Sequence, residues 1–257
     1  MIDCRHDLAD PETGRRAYAQ SHIPGARFAH LDKDLSSPKT GRNGRHPLPN
    51  PERFCARLAA LGVSNDTQVV AYDASGGVYA ARLWWMLRWV GHDQAAVLDG
   101  GWDAWLKANQ AVTSDLPKIK PGNFRGDVRE RTANADEILG AIGQPRMRLI
   151  DARSADRFRG ENETLDPVAG HIPGARNRFF KLNLAPDGCF RQASELRGEF
   201  MALLEDAAPA DVVHQCGSGV TACHNLLAME IAGLSGSRLY PGSWSEWCSD
   251  LARPVAR

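Results

Sequence analysis

Val212-Val213-His214-Gln215-Cys216-Gly217-Ser218-Gly219-Val220-Thr221-Ala222-Cys223-His224 decides the fold. It reads as a short buried strand, a tight loop opened by a cysteine, and an apolar helix that runs on through Asn225-Leu226-Leu227-Ala228-Met229. Gly217 and Gly219 let the loop curl so that successive backbone N–H groups converge on one place. That place is the Cys216 sulfur, beside the positive end of the following helix. Such surroundings favour thiolate over thiol and can hold an anionic sulfur adduct. Cys216 is therefore expected to be a nucleophile, with Gly217, Ser218, Gly219, Val220, Thr221 and Ala222 as its anion loop. Cys4, Cys55, Cys189, Cys223 and Cys248 lack this setting and read as small buried hydrophobes.

Working outward from the loop, the chain repeats itself. His22-Ile23-Pro24-Gly25-Ala26-Arg27 recurs from His171 to Arg176, and Ile2-Asp3-Cys4-Arg5 matches Ile150-Asp151-Ala152-Arg153. Val69-Val70-Ala71-Tyr72-Asp73 matches Val212 to Cys216, and Trp102 and Trp105 match Trp244 and Trp247. Four collinear matches with slowly drifting offsets mean a duplicated domain rather than a short solenoid repeat.

Within each copy, strand-like runs alternate with longer helical patterns. Strands are predicted over Gln68–Tyr72, Ala95–Leu98, Leu149–Ile150, Val212–Val213 and Arg238–Tyr240. Helices are predicted over Tyr79–Val90, Ala133–Ile142 and Ala222–Ile231, with a short Trp-rich helix after Gly100-Gly101. This alternation implies an α/β fold with two domains, each a mostly parallel sheet flanked by helices. The expected boundaries are a first domain over residues 1–112, a linker over 113–132 and a second domain over 133–257. The first copy begins inside the strand that matches Ile150-Asp151, without the helix that precedes it in the second copy. A true start upstream of Met1 is the favoured explanation.

Composition excludes several function classes. Lys plus Arg is 31 and Asp plus Glu is 31, so no general electrostatic attraction to nucleic acid or anionic membranes is expected. No apolar run approaches the length of a membrane span. Six scattered cysteines without a Cys-x-x-Cys pair argue against a disulfide framework or a structural zinc site, and point to the cytoplasm.

The copies differ at the decisive position: where the second has Cys216, the first has Asp73. A carboxylate cannot replace a thiolate in sulfur chemistry, so the first domain is expected to be catalytically inactive. With these pieces in place the chain resembles the tandem-domain sulfurtransferases of the rhodanese superfamily over essentially its whole length. The resemblance is carried by the two His-Ile-Pro-Gly-Ala motifs, Asp151-Ala152-Arg153, Arg157-Phe158-Arg159-Gly160, the Cys216 loop and Tyr240-Pro241-Gly242-Ser243-Trp244. Thiosulfate-using members carry two cationic residues after the cysteine. Cys216-Gly217-Ser218-Gly219-Val220-Thr221-Ala222 is neutral and is similar to the mercaptopyruvate-using members.

The resemblance implies a cysteine persulfide intermediate, a small-molecule sulfur donor, and cyanide or a thiol such as thioredoxin or glutathione as acceptor. It implies no bound cofactor and no metal. Ser218 is expected to hydrogen-bond the developing oxyanion or to relay a proton, and by resemblance His22 and Asp10 complete a relay with it. The alternative for His22 is a brace for the turn before Pro24, as its repeat mate His171 is expected to be. Arg157 is the expected carboxylate clamp, because a guanidinium grips two oxygens at once. Arg153, repeated as Arg5 beside Asp3, reads as structural. A second substrate arginine, expected nine residues after the first, is Asp166 here; either Arg159 or the Arg42-Asn43-Gly44-Arg45-His46 stretch takes its place or the donor differs, thiosulfate being the alternative. Trp84, Trp85 and Trp89 read as packing, and Trp244 as a possible wall of the site.

Three rivals are weighed against this reading. A cysteine phosphatase needs an arginine six residues after the cysteine, where Ala222 stands. A zinc site at His214, Cys216, Cys223 and His224 would draw its ligands from both strand and helix without tight spacing. A persulfide carrier without rapid turnover would keep the same loop.

Overall fold

The computed structural model describes residues 1–144 and 147–257, which divide into two compact units. The first comprises Met1–Ser37, Leu48–Glu130 and Pro186–Cys189; the second comprises Pro38–Pro47, Arg131–Ala185 and Phe190–Arg257.

In the first unit the order is β1 (Ile2–Asp3), α1 (Thr13–Gln20), β2 (Arg27–Phe28), α2 (Leu31–Asp34), α3 (Pro51–Ala60), β3 (Val69–Tyr72), α4 (Val78–Trp89), β4 (Ala95–Val97) and α5 (Gly101–Lys107). The four strands form one parallel sheet in the order β2-β1-β3-β4. Helix α3 starts cleanly because Pro51 opens it and the Asn50 side chain accepts the Arg53 N–H. Helix α4 is buried on nearly every face, Arg88 alone being half-buried, which explains an apolar pattern with no single stripe. Trp84, Trp85 and Trp89 are core residues of this helix. Residues 113–130, expected as linker, count with this unit, where Gly122 N–H bonds Ala59 O and Arg129 N–H bonds Trp89 O.

The second unit repeats the plan: α6 (Ala135–Ala141), β5 (Arg148–Asp151), α7 (Ala155–Phe158), β6 (Arg176–Asn177), α8 (Ala193–Leu204), β7 (Val212–Gln215), α9 (Thr221–Ile231), β8 (Arg238–Leu239) and α10 (Ser243–Trp247). Its sheet is parallel in the order β6-β5-β7-β8, the same as in the first unit, as a duplicated sequence requires. Alternation along β5 and β7 feeds two cores. Leu149 and Val213 pack with Ile138, Tyr240, Trp244 and Trp247 on one face. Ile150 and Val212 pack with Phe200, Leu204, Ala228 and Met229 on the other. Asn134 caps α6 by accepting the Glu137 N–H.

Each unit carries the same buried ion pair. Arg5 forks Asp3 at 2.9 and 2.7 Å, reaches Ser21 O and lies over the Trp102 ring. Arg153 forks Asp151 at 3.1 and 2.7 Å, reaches Gly170 O and lies over Trp244. Both arginines thus serve the architecture at the end of the first strand of their sheets.

In this strand order, neighbours β5 and β7 have connections that leave in opposite directions. The crevice beyond their carboxyl ends is where ligands bind in open parallel sheets.

Candidate active site

Two segments leave that crevice in the second unit. After β5 comes Ala152-Arg153, then α7 carrying Arg157; after β7 comes Cys216 and its loop, then α9. The cysteine is 2 % exposed and sits one residue beyond the strand. Its backbone is fixed on both sides by the first residues of α10. Cys216 N–H donates to Ser243 Oγ at 3.1 Å, and Cys216 O accepts Trp244 N–H at 2.9 Å. Gly217 O accepts Ser245 N–H at 3.0 Å. Ser243 pays for this post with φ +53°, a left-handed conformation unusual for serine, while its hydroxyl also donates to Tyr240 O. Gly219, at φ +78°, has no room for a side chain, since a Cβ would lie 2.4 Å from Pro241 O.

The first unit shows what such a loop does to an anion. Asp73, at the position matching Cys216, is buried and accepts four backbone N–H bonds: from Ser75 (2.7 Å), Gly77 (2.9 Å), Tyr79 (2.8 Å) and Ala80 (2.9 Å). Burial pushes its carboxyl pKa up, and the four N–H donors oppose that rise. The strand–loop–helix turn is thus a nest for negative charge.

Ser218 is buried, and its Oγ lies 2.8 Å from His46 Nδ1. His46 comes from the Pro38–Pro47 segment, which belongs to the second unit although it is read early in the chain. That segment is held by Arg45 N–H donating to Ser245 Oγ at 3.0 Å. Gly44, at φ +81°, sits so close to Gly242 that a Cβ would lie 2.7 Å from its carbonyl oxygen.

His22 and Asp10 belong to the first unit. The His22 ring is buried, its Nδ1 is 2.7 Å from Tyr18 O and its Nε2 is 3.2 Å from Asp115 O, and it stacks on Tyr18. His171 likewise has Nδ1 2.8 Å from Phe158 O and stacks on Phe158. The two repeat mates share the bracing geometry. Asp10 is exposed and paired with Arg16. His46, not named from the sequence as the partner of Ser218, lay in a stretch singled out only for its arginines; nothing in its spacing marks it.

Arg157 and Arg45 reach the loop together. An atom on the Gly217 α-carbon would lie 2.7 Å from Arg45 Nη2 and 3.5 and 3.6 Å from Arg157 Nη2 and Nη1. Their side chains are 26 % and 19 % exposed, so they mark the open side of the site above the enclosed cysteine. Arg159 is elsewhere: its side chain is 54 % exposed and forks Glu161. Trp244 is fully buried with Nε1 on Val168 O, a core residue rather than a wall.

The residues of the zinc alternative are engaged separately. His214 Nε2 meets Met229 Sδ, Cys223 donates to Gly219 O, and His224 Nδ1 meets Asn183. Among the described residues, His6, His30 and Asp32 in the first unit bring ligand atoms within 4.8 Å of one another. His30 Nδ1 already accepts the Asp32 N–H at 3.1 Å, which in a neutral ring leaves the proton on Nε2 and no lone pair for an ion.

The rhodanese-like domain family matches this chain twice, over residues 1–108 and 134–250. The chain is 48% identical over 259 residues to a Pseudomonas aeruginosa protein described as "Probable 3-mercaptopyruvate sulfurtransferase", covering 100% of this chain and 91% of that one. It is 36% identical over 241 residues to the thiosulfate sulfurtransferase of Bos taurus, covering 91% of this chain and 79% of the relative. Among solved structures, it is similar to the 3-mercaptopyruvate sulfurtransferase from Leishmania major, with TM-score 0.87 and 35% identity, covering 98% of this chain and 70% of that one.

Proposed function

The chain belongs to the rhodanese family and is a sulfurtransferase enzyme, and on that premise we propose that it takes sulfur from 3-mercaptopyruvate onto Cys216 and passes it to a thiol or cyanide. The observation that carries the donor reading is the neutral loop from Cys216 to Ala222, with Arg157 and Arg45 converging at its edge.

In the first half-reaction the Cys216 thiolate attacks the donor sulfur. The carbon–sulfur bond breaks with its electron pair going to carbon, giving the enolate of pyruvate and a cysteine persulfide. The proton released from the persulfide S–H balances the one the enolate carbon takes up. The Ser218 hydroxyl donates to the enolate oxygen; in the tautomer with its proton on Nδ1, His46 donates to Ser218 Oγ and holds the hydroxyl proton toward the substrate. Arg157 grips the substrate carboxylate, with Arg45 as the second arginine in place of the expected one at 166.

In the second half-reaction an acceptor thiolate attacks the outer sulfur and Cys216 leaves as thiolate. Between the two, the persulfide anion rests in the loop. The N–H groups of Ser218, Val220 and Ala222 match by repeat those of Ser75, Gly77 and Tyr79, which hold the Asp73 carboxylate. Six free cysteines suit a reducing compartment such as the cytoplasm. None of the described helices is long and apolar enough to cross a membrane.

The test is pyruvate release from 3-mercaptopyruvate beside sulfite release from thiosulfate, with Cys216→Ser as control. Preference for 3-mercaptopyruvate, abolished by the substitution, supports the reading. Preference for thiosulfate overturns the donor assignment.

A further inference from the structure

Around the two arginines at Gly217 the charges are matched one for one. Arg45 Nη1 donates to the Asp166 carboxylate, and Arg157 Nη2 lies 3.5 Å from the same group. Glu163 takes Arg157 through Nε at 3.1 Å and Nη2 at 2.9 Å, and lies 3.4 Å from Arg153 Nη1. Arg153 is forked on Asp151. Three guanidiniums thus face three carboxylates, all three of which are buried.

Asp166 is the member of this cluster that decides what the open side offers a ligand. Asp151 and Glu163 hold Arg153 and Arg157 from within the fold, whereas Asp166 engages the more exposed Arg45. Burial pushes the Asp166 carboxyl upward in pKa, with Arg45 and Arg157 pulling it back, so the ionised form depends on those two partners.

We propose that Asp166 sets the charge of the sulfur donor this site accepts: by holding Arg45 it keeps the pocket electrically balanced, which admits a monoanionic 2-oxo carboxylate and disfavours a dianion. The inference rests on the 3-mercaptopyruvate reading above. A monoanion entering a balanced cluster shares the guanidinium donors and brings one charge. A compact dianion brings two into an enclosed place with no surplus cation, and its desolvation is not offset. Removing the Asp166 charge leaves one guanidinium in surplus beside Gly217 of the cysteine loop, the situation that suits a dianion.

The experiment is kcat/KM for 3-mercaptopyruvate and for thiosulfate, each with cyanide as acceptor, in wild type, Asp166→Asn, Arg45→Gln and the double variant. Asp166→Asn raises the thiosulfate-to-mercaptopyruvate ratio by about tenfold or more, and Arg45→Gln lowers it. The double variant, balanced again, returns the ratio to within about threefold of wild type. A folded Asp166→Asn protein with an unchanged ratio overturns the inference. If that variant does not fold, an unchanged ratio in Arg45→Gln does the same. Failure of the donor reading itself shows separately, as a wild type that prefers thiosulfate.

Discussion

Ser218 Oγ and His46 Nδ1 are 2.8 Å apart, although 172 residues separate them in the chain. The pairing joins the cysteine loop to a segment that leaves the first unit's sequence to pack in the second. It gives the hydroxyl beside Cys216 a defined orientation, which a two-residue loop position alone does not supply.

His46→Gln is expected to lower kcat with 3-mercaptopyruvate by about 10- to 100-fold, and Ser218→Ala to do the same. The double variant is expected to be little worse than either single one, because the two groups act as a unit. His22→Gln is expected to keep kcat within about threefold and to lower the melting temperature, since its ring braces Tyr18. A loss of kcat in His22→Gln matching that of His46→Gln would restore His22 to the relay.

Asp73→Ala leaves four N–H groups of the first unit without their acceptor, those of Gly77, Tyr79 and Ala80 buried. Denaturant unfolding is expected to show a loss of about 2–4 kcal/mol. A change under about 0.5 kcal/mol would mean the loop N–H groups are not held by this carboxylate.

Gly217→Ala and Gly219→Ala separate two kinds of crowding. At Gly219 a methyl group meets the Pro241 carbonyl with φ at +78°, so the loop must rebuild, costing about 1–3 kcal/mol and most of the activity. At Gly217 it meets the movable tip of Arg45, so the protein folds with near-native stability and the donor KM rises. Equal stability losses in the two variants would contradict this distinction.

His214 gives the second unit a pH dependence. Burial, and secondarily the Arg178 charge, brings its pKa from 6.5 down to about 3. The folded protein therefore keeps the ring neutral while the unfolded chain takes up a proton between those values. Stability falls as pH drops below 6.5, by at most about 1.4 kcal/mol per pH unit. Between pH 7.5 and 5, wild type is expected to lose about 1–2 kcal/mol more than His214→Gln. Parallel stability curves for the two would show that His214 is not held neutral.

The duplication and the alternation of strands with helices were legible because they rest on local signals. Val212-Val213 before Cys216 fixes a buried strand, and the repeat sets Asp73 of the first copy opposite Cys216 of the second. Long-range delivery was legible only in part: the Arg42-Asn43-Gly44-Arg45-His46 stretch stood out for its arginines, but not His46 as the partner of Ser218. The close approach of Gly44 to Gly242 and the bond of Arg45 N–H to Ser245 help hold that stretch against the loop, and no spacing rule encodes either. Ser243, with its left-handed backbone and its bond to the Cys216 N–H, was likewise not marked out within the Tyr240-Pro241-Gly242-Ser243-Trp244 stretch that carries the resemblance. Arg159 has the right residue type but lies two residues past Arg157, just beyond the end of α7, where it pairs with Glu161 on the surface.

The most direct test of the central claim is mass spectrometry of the protein after one equivalent of 3-mercaptopyruvate without acceptor. The account predicts a gain of about 32 Da on the peptide containing Cys216, with stoichiometric pyruvate, lost on adding cyanide and absent in Cys216→Ser. Pyruvate release without that gain, or the added sulfur on another cysteine, would contradict it.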